Sequence, residues 1–390
     1  MTDRSDILSF PITVRHEHRL IFTRDVFAPE NTALADVLTP REPGGTARAV
    51  VFWDGGLEAA FPGFAERMSR WFAARTDRVC LEAEPVALPG GEAVKNDSHQ
   101  LERAWATINA AKLCRHSFVI VLGGGAVLDM VGFAAATAHR GIPIVRLPTT
   151  SLSQADGGVG VKNGVNYFGK KNWLGAFVVP HAVVNDLAFL HGLPPRDRRA
   201  GLIEAVKVAL IRDAGFFEFI AARVDALAAF NPEPYEAVIR ESARQHLEHI
   251  ATGGDPFERG SARPLDFGHW AAHKLEQLSD FRVSHGEAVA VGMALDLIYA
   301  RRTSLLPEPV AERILAVIQR LGFELYAPIM QVRGASGRQD MLDGLEEFRE
   351  HLGGQLTIPM IRGPGQRLDV HEMDGPTVKA SLDELRARYG

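Results

Sequence analysis

Cysteine is nearly absent: Cys80 and Cys114 are the whole supply, which rules out a disulfide framework and fits a reducing compartment. Both read as small buried apolar residues. No uninterrupted apolar run of about 18 or more residues is present to cross a bilayer. The N-terminus, Met1-Thr-Asp-Arg-Ser-Asp-Ile-Leu-Ser-Phe10, carries early acidic residues and no apolar segment ahead of a small-residue cleavage site, so it lacks the form of an export signal and the cytoplasm is expected. Basic excess is also missing. With 43 Lys and Arg against 48 Asp and Glu, the net charge of -5 removes the case for a nucleic-acid partner, because a surface that tracks phosphates needs clear positive charge. Any anion site must be local. Neither a repeat at fixed period nor a low-complexity linker interrupts the chain. What is present, 390 residues of which 46% are hydrophobic and 23% charged, suffices for two domains of a soluble globular protein.

The two halves differ in texture. From Ala47 to Asp186, the apolar runs Ala49–Phe52, Phe118–Leu122, Ile144–Leu147 and Ala182–Val184 sit beside Gly, Pro or polar turns and alternate with helix-like stretches. That is the pattern of a parallel sheet covered by helices. After Leu193-Pro194-Pro195 come long amphipathic stretches, Ala200–Arg212, Pro234–His249, Trp270–Leu278 and Ala288–Arg301. The expected fold is an α/β domain over residues 1–192 followed by an all-α domain over 193–390.

In the first half, the strand candidate Phe118–Leu122 runs straight into Gly123-Gly124-Gly125 and then a helix-like run with Asp129. Glycines there let backbone approach a pyrophosphate, and the helix start offers free N–H groups; a plain tight turn explains the same residues equally well. The spacing is not the G-x-G-x-x-G of the usual dinucleotide turn. Pro89-Gly-Gly-Glu-Ala-Val-Lys95 adds a loop whose Glu92 and Lys95 suit ribose hydroxyls.

The second half holds a denser set. Glu204 and Lys207, three apart, share a helical face, as do His269 and His273, four apart, and Ser284-His285-Gly286-Glu287 adds another imidazole. Two neutral imidazoles and a carboxylate leave positions open on a divalent ion, as a catalytic site requires. Single histidines on apolar faces are more often packed core residues, and His246 and His249, on a helix rich in Arg and Glu, are given that reading.

Several motifs then join in one order: Leu147-Pro-Thr-Thr150, Asp156-Gly-Gly-Val-Gly-Val-Lys162, Lys170-Lys171-Asn172, Glu204-x2-Lys207, Phe267-Gly-His269-x3-His273 and His285-Gly-Glu287. From about residue 47 to residue 365 the chain resembles 3-dehydroquinate synthase and its relatives, the sugar phosphate cyclases. The resemblance implies a dinucleotide-binding α/β domain and a helical metal-bearing domain with the active site between them. It implies that Glu204, His269 and His285 hold a divalent metal, Zn or Co, and that Asp54, Glu92, Lys95, Gly124, Gly125, Asp129, Thr149 and Thr150, with Asp156 and Lys171, lie along NAD. Asp156, Lys162, Lys207 and His273 take the catalytic positions, with Lys171 and Asn172 on the substrate. Arg140 matches an arginine that reaches the phosphate of the neighbouring subunit's substrate, so a homodimer is implied. The implied reaction oxidises a ring hydroxyl transiently, eliminates phosphate, returns the hydride and closes a carbocycle by an aldol step, so that NAD+ is regenerated.

Departures from the synthase pattern bear on the substrate. Asp266 replaces an asparagine, and a carboxylate there repels a substrate carboxylate by about 1 kcal/mol at 4 Å even in water. Gln245–His249 contains no lysine where the synthase has one, Ala262 replaces an arginine with Arg263 displaced by one, and Glu347–His351 stands in place of paired lysines. Gly192 replaces a threonine of the cofactor pocket. Arg263 and Asp266 are kept as substrate-binding candidates. The losses point to a substrate with a neutral hydroxymethyl end, sedoheptulose 7-phosphate, and a valiolone-type cyclitol. His273, which the family's 2-epi-5-epi-valiolone synthases tend to replace, is retained, which brings a 2-epi-valiolone product into view. Beside this reading stand 3-dehydroquinate synthase itself, a metal- and NAD-dependent polyol dehydrogenase, and a non-catalytic homologue that binds a sugar phosphate.

Overall fold

Runs such as Ala-Arg-Ala-Val-Val-Phe-Trp-Asp can be buried on both faces only where helices cover a sheet from either side. The computed structural model, which describes residues 8–40, 42, 44–168, 170–333 and 339–390, builds such a sheet. Residues 1–7, on which the export-signal reading partly rests, and the side chain of His351, from the segment expected to have lost paired lysines, lie outside the described residues. The strands of the first half are β1 (Leu20–Thr23), β2 (Ala47–Asp54), β3 (Val79–Leu81), β4 (Val86–Leu88), β5 (Phe118–Gly123), β6 (Ile144–Pro148), β7 (Lys162–Tyr167), β8 (Lys170–Phe177) and β9 (Ala182–Asp186). Seven of them form one parallel sheet in the order β1-β9-β6-β5-β2-β3, with β4 lying against the far end of β2. The four apolar runs expected as strands fall within β2, β5, β6 and β9. The carboxyl ends of β2, β5 and β6 therefore open on one crevice, the place where parallel α/β sheets take ligands.

The antiparallel hairpin β7–β8 was not visible as strands in the sequence, because Lys, Asn and Gly interrupt its apolar residues without a regular alternation: Lys-Asn-Gly-Val-Asn-Tyr and Lys-Lys-Asn-Trp-Leu-Gly-Ala-Phe. It lies on the helix Gly125–Thr137. Its base is held by Arg146 of β6, a fully buried guanidinium that donates to the carbonyls of Gly160 and Lys162 at 2.8 Å each and to Asn163 Oδ1 at 2.6 Å.

Beyond β9 the chain turns helical, with long helices at Pro195–Arg212, Pro232–Thr252, His269–Leu278 and His285–Arg302. These contain the four expected stretches, but two of them are not amphipathic. Gly201–Ile211 and Ala288–Ala300 are buried on all sides, because the helices they belong to run through the middle of the helical core rather than along its surface. This half also holds shorter helices such as Ala214–Ala222 and Glu308–Arg320, a small hairpin of β10 (Ile358–Ile361) with β11 (Arg367–Val370), and the helix Gly375–Tyr389. Among the described residues no helix is long and apolar enough to cross a membrane. The reading of the cysteines is corrected: both Cys80 and Cys114 are free and exposed.

Replacing Arg146 with methionine keeps the bulk and deletes every donor, leaving buried carbonyls unsatisfied. The variant is expected to lose about 3 kcal/mol of unfolding free energy in urea titrations; an unchanged midpoint would show that the hairpin base does not depend on it.

Candidate active site

Glu204 sits in the middle of the buried helix Pro195–Arg212, with no exposed surface. Neither carboxylate oxygen accepts a well-formed hydrogen bond, although Oε2 lies 2.5 Å from Lys207 Nζ and Oε1 3.6 Å from His285 Nε2. Burial raises its pKa, opposed by Lys207 and reinforced by Asp156. Such a carboxylate is stable only beside cations.

His269 and His285 both stand in the first turn of a helix. The His269 turn is set by Gly268, whose φ is +79°, and an added Cβ there would come within 2.6 Å of Met293 N. Asp296, fully buried, accepts from Gly268 N at 3.0 Å and from Trp270 Nε1 at 2.8 Å, and so fixes the entry of that helix. The His285 helix opens on a capping box in which Glu287 accepts from Ser284 N at 2.9 Å. His269 Nδ1 lies 3.2 Å from the Phe267 carbonyl and His285 Nδ1 3.1 Å from Glu276 Oε2, so in each ring Nδ1–H is committed and Nε2 is left to ligate. One ligand atom from each of Glu204, His269 and His285 falls within 4.8 Å of the others. An orphaned buried carboxylate and two imidazoles with their outer nitrogens engaged fit a divalent ion such as Zn2+ or Co2+.

Asp156, Glu204 and His246 form a second such group. Lys207 Nζ already occupies it, 3.1 Å from Asp156 Oδ2 and 2.5 Å from Glu204 Oε2, so the cation there is an ammonium. The packed-core reading of His246 is thereby corrected: it is buried, but its Nδ1 meets the Ser242 carbonyl at 2.8 Å and its unpartnered Nε2 points at Asp156 from 3.4 Å. The helix carries Arg and Glu on its outer face and this imidazole on its inner one. His249 lies half-buried on the same helix, lowered to about 4 by burial and then by Arg212.

Charge states follow from the neighbours. Burial opposes ionisation of Asp156, yet His246 and Lys207 overcome it and hold it well below the usual carboxylate range. Burial likewise opposes the charge on Lys162, and Asp266 and Glu258 outweigh it, so this ammonium persists. His273, whose ring centroid is 5.5 Å from that of His269, is driven down to about 4 by burial with Lys171 and His285 adding to it, against the pull of Glu276. It is neutral near pH 7.

On the sheet side the expected cofactor residues gather along the crevice. Gly124 and Gly125 open the helix Gly125–Thr137, which no side chain caps, so its first N–H groups face the crevice. Thr149 N donates to Gly123 O at 3.0 Å and Thr150 Oγ1 lies 2.8 Å from Ser153 Oγ. Lys95 Nζ donates to Asp129 Oδ2 at 2.8 Å and to Asn172 Oδ1, with Glu92 4.0 Å away. Asp54 ends β2, and a Cβ on Gly90 would stand 2.6 Å from its Oδ1, so the loop and the strand end are moulded together. These residues fit a dinucleotide laid across the strand ends.

Two further expected substrate residues lie at the margin of this cluster. Arg263 is tied to Glu258 at 3.0 Å and to the carbonyls of Gly260 and Ala262, with Glu258 also holding Lys162 at 2.7 Å. Arg140 is exposed in the short turn Ala138–Arg140 that follows the helix Gly125–Thr137, at the end remote from Gly124, as expected of an arginine that serves a neighbouring subunit. Sequence reasoning missed His246, Glu258 and Glu276. Only Glu276 left a trace, seven residues after His269 and so on nearly the same helical face.

Comparison with known proteins agrees with this geometry. Residues 85–200 match the 3-dehydroquinate synthase N-terminal family model and residues 201–338 the 3-dehydroquinate synthase C-terminal one. A 3-dehydroquinate synthase of Halorhodospira halophila is 37% identical over 314 residues, 78% of this chain and 86% of that protein. A 2-epi-5-epi-valiolone synthase of Streptomyces glaucescens is 33% identical over 378 residues, 96% and 92% of the two chains. Among solved structures, the 2-epi-5-epi-valiolone synthase ValA of Streptomyces hygroscopicus subsp. jinggangensis 5008, described with NAD+ and Zn2+ bound, superposes with a TM-score of 0.86 at 27% identity, covering 98% of this chain and all 100% of that one.

Glu204→Ala is expected to leave the fold intact and to lower retained Zn2+ or Co2+ after dialysis to background, read by elemental analysis; full retention would remove Glu204 from the ligand set. For metal-free protein, the lowered His273 implies a stability loss in acid. The unfolded chain takes up a proton near pH 6.5 that the folded chain refuses until about pH 4, so stability falls as pH drops through that window. His273→Gln should flatten the fall in urea midpoint between those pH values.

Proposed function

The chain belongs to the 3-dehydroquinate synthase family of sugar phosphate cyclases, and we propose that it is an NAD- and divalent-metal-dependent cyclase that eliminates phosphate from sedoheptulose 7-phosphate and closes a carbocycle of the 2-epi-valiolone or 2-epi-5-epi-valiolone type. The single observation that carries the substrate choice is Asp266, which stands in the electrostatic reach of Lys162 and Lys207. A carboxylate at that point repels an acidic substrate end and accepts hydrogen bonds from a hydroxylated one. The engagement of Arg263 by Glu258 supports the same choice, as does an imidazole, His246, in the stretch where a lysine was expected. The relative that spans 96% of the chain is a valiolone synthase.

When bound, NAD supplies a reversible hydride acceptor and the metal ion a Lewis acid at a ring hydroxyl. The rest is work for the protein's own side chains. Residues 1–192 hold the dinucleotide through Asp54, Glu92, Lys95, Gly124, Gly125, Asp129, Thr149 and Thr150. Residues 193–390 carry the ligands Glu204, His269 and His285. Lys207, clamped between Asp156 and Glu204, keeps a positive charge where an oxyanion develops. Lys162, Lys171 and Asn172 line the approach of the phosphate. His273, neutral near pH 7, can pass one proton to or from a hydroxyl. Arg140, exposed in the turn after the helix Gly125–Thr137, suits a role in the partner's site and so a homodimer; two exposed free thiols suit the cytoplasm.

The 37% identity to a 3-dehydroquinate synthase supports that activity as the second reading. Metal-loaded protein incubated with sedoheptulose 7-phosphate is expected to release phosphate without lasting absorbance at 340 nm. Release from the seven-carbon keto acid phosphate alone would transfer the assignment to dehydroquinate synthesis, and NADH accumulating with product would indicate a dehydrogenase.

A further inference from the structure

Glu276 lies two turns after His269 on the helix His269–Leu278, and only 4% of it is exposed. Its two oxygens go to different halves of the molecule. Oε2 lies 3.1 Å from His285 Nδ1, and Oε1 accepts from Lys171 Nζ at 2.8 Å. Lys171 belongs to β8, the outer strand of the polar hairpin on the sheet side, and its ammonium also lies 5.8 Å from the Phe281 ring. A buried carboxylate with both oxygens on cation-capable donors is doubly charge-assisted. Aspartate is one methylene shorter, and glutamine offers one acceptor where two are used.

We propose that Glu276 is a positioning residue that serves both halves at once, fixing the ring of the metal ligand His285 through Oε2 and latching the β7–β8 hairpin over the cleft through Lys171 and Oε1. The outer carboxylate sets the tautomer of His285 and with it the direction of Nε2, which faces Glu204. The same group anchors the strand that carries Lys171 and Asn172, and Asn172 in turn accepts from Lys95 beside Asp129. A continuous polar chain therefore runs from the metal ligands to the cofactor residues: His285, Glu276, Lys171 with its neighbour Asn172, then Lys95 and Asp129. Nothing else among the described ion pairs joins a metal ligand's outer nitrogen to the sheet half.

This inference rests on the reading of Glu204, His269 and His285 as metal ligands, and its test separates the two. Co2+ affinity by chelator competition, the visible Co2+ spectrum and hydrogen exchange of the β7–β8 hairpin would be measured for the parent, Glu276→Gln and Lys171→Gln. Glu276→Gln is expected to bind Co2+ about 10- to 100-fold more weakly with an altered spectrum, and to exchange hairpin amides faster. Lys171→Gln, a half-buried position whose loss leaves the core untouched, is expected to speed hairpin exchange without weakening Co2+ binding. A merely structural role would not move the Co2+ spectrum of folded protein. Co2+ affinity within twofold of the parent in Glu276→Gln, or hairpin exchange unchanged in both variants, overturns the proposal. A parent chain that binds no Co2+ counts against the ligand assignment, while the exchange measurement still decides the latch.

Discussion

A carboxylate without solvent, Glu204, sets the terms for everything around it. Burying an ionised group costs several kcal/mol unless cations surround it, and this one is met by the Lys207 ammonium on its own helix and by two imidazoles from other helices. Those partners can reach it only because helices pass close to one another at Gly268, and because Asp296 pins the turn that delivers His269. The helical core is thus arranged around a charge rather than simply around apolar area. A site with this composition is incomplete electrostatically without a further cation, which is what a resident divalent ion supplies.

Charge is also partitioned across the cleft. On one side of Glu204 Lys207 fills the space shared with Asp156 and His246; on the other the imidazoles leave room for a metal. A divalent ion held by Glu204, His269 and His285 would share that carboxylate with the Lys207 ammonium. On the sheet side the charges of Lys162 and Lys171 are held by Glu258 and Glu276. Each cation has a protein counter-charge already in place, so the site keeps its geometry without ligand.

Some of this was legible early because the chemistry resides in local spacing. Glu204 and Lys207 are three apart, His269 and His273 four apart, and a helix turns such spacings into shared faces. The parallel sheet was likewise readable from runs buried on both faces. Misreadings arose where the partner is distant in sequence. His246 sits on a helix with a charged exterior, and nothing local reveals that its inner face meets Asp156, ninety positions earlier. The β7–β8 hairpin mixes Lys and Asn with Gly and apolar residues, so it lacks the regular apolar alternation by which strands are recognised.

The sequence by itself determined the family, through the order of its motifs, and singled out Glu204, His269 and His285 as candidate metal donors. The tertiary structure decided which charges neutralise one another. Arg263 pairs with Glu258, Lys207 sits between Asp156 and Glu204, and Glu276 meets both Lys171 and His285. The physical reason is that electrostatic pairing falls off over a few ångströms in space, whereas the residues concerned lie tens of positions apart along the chain.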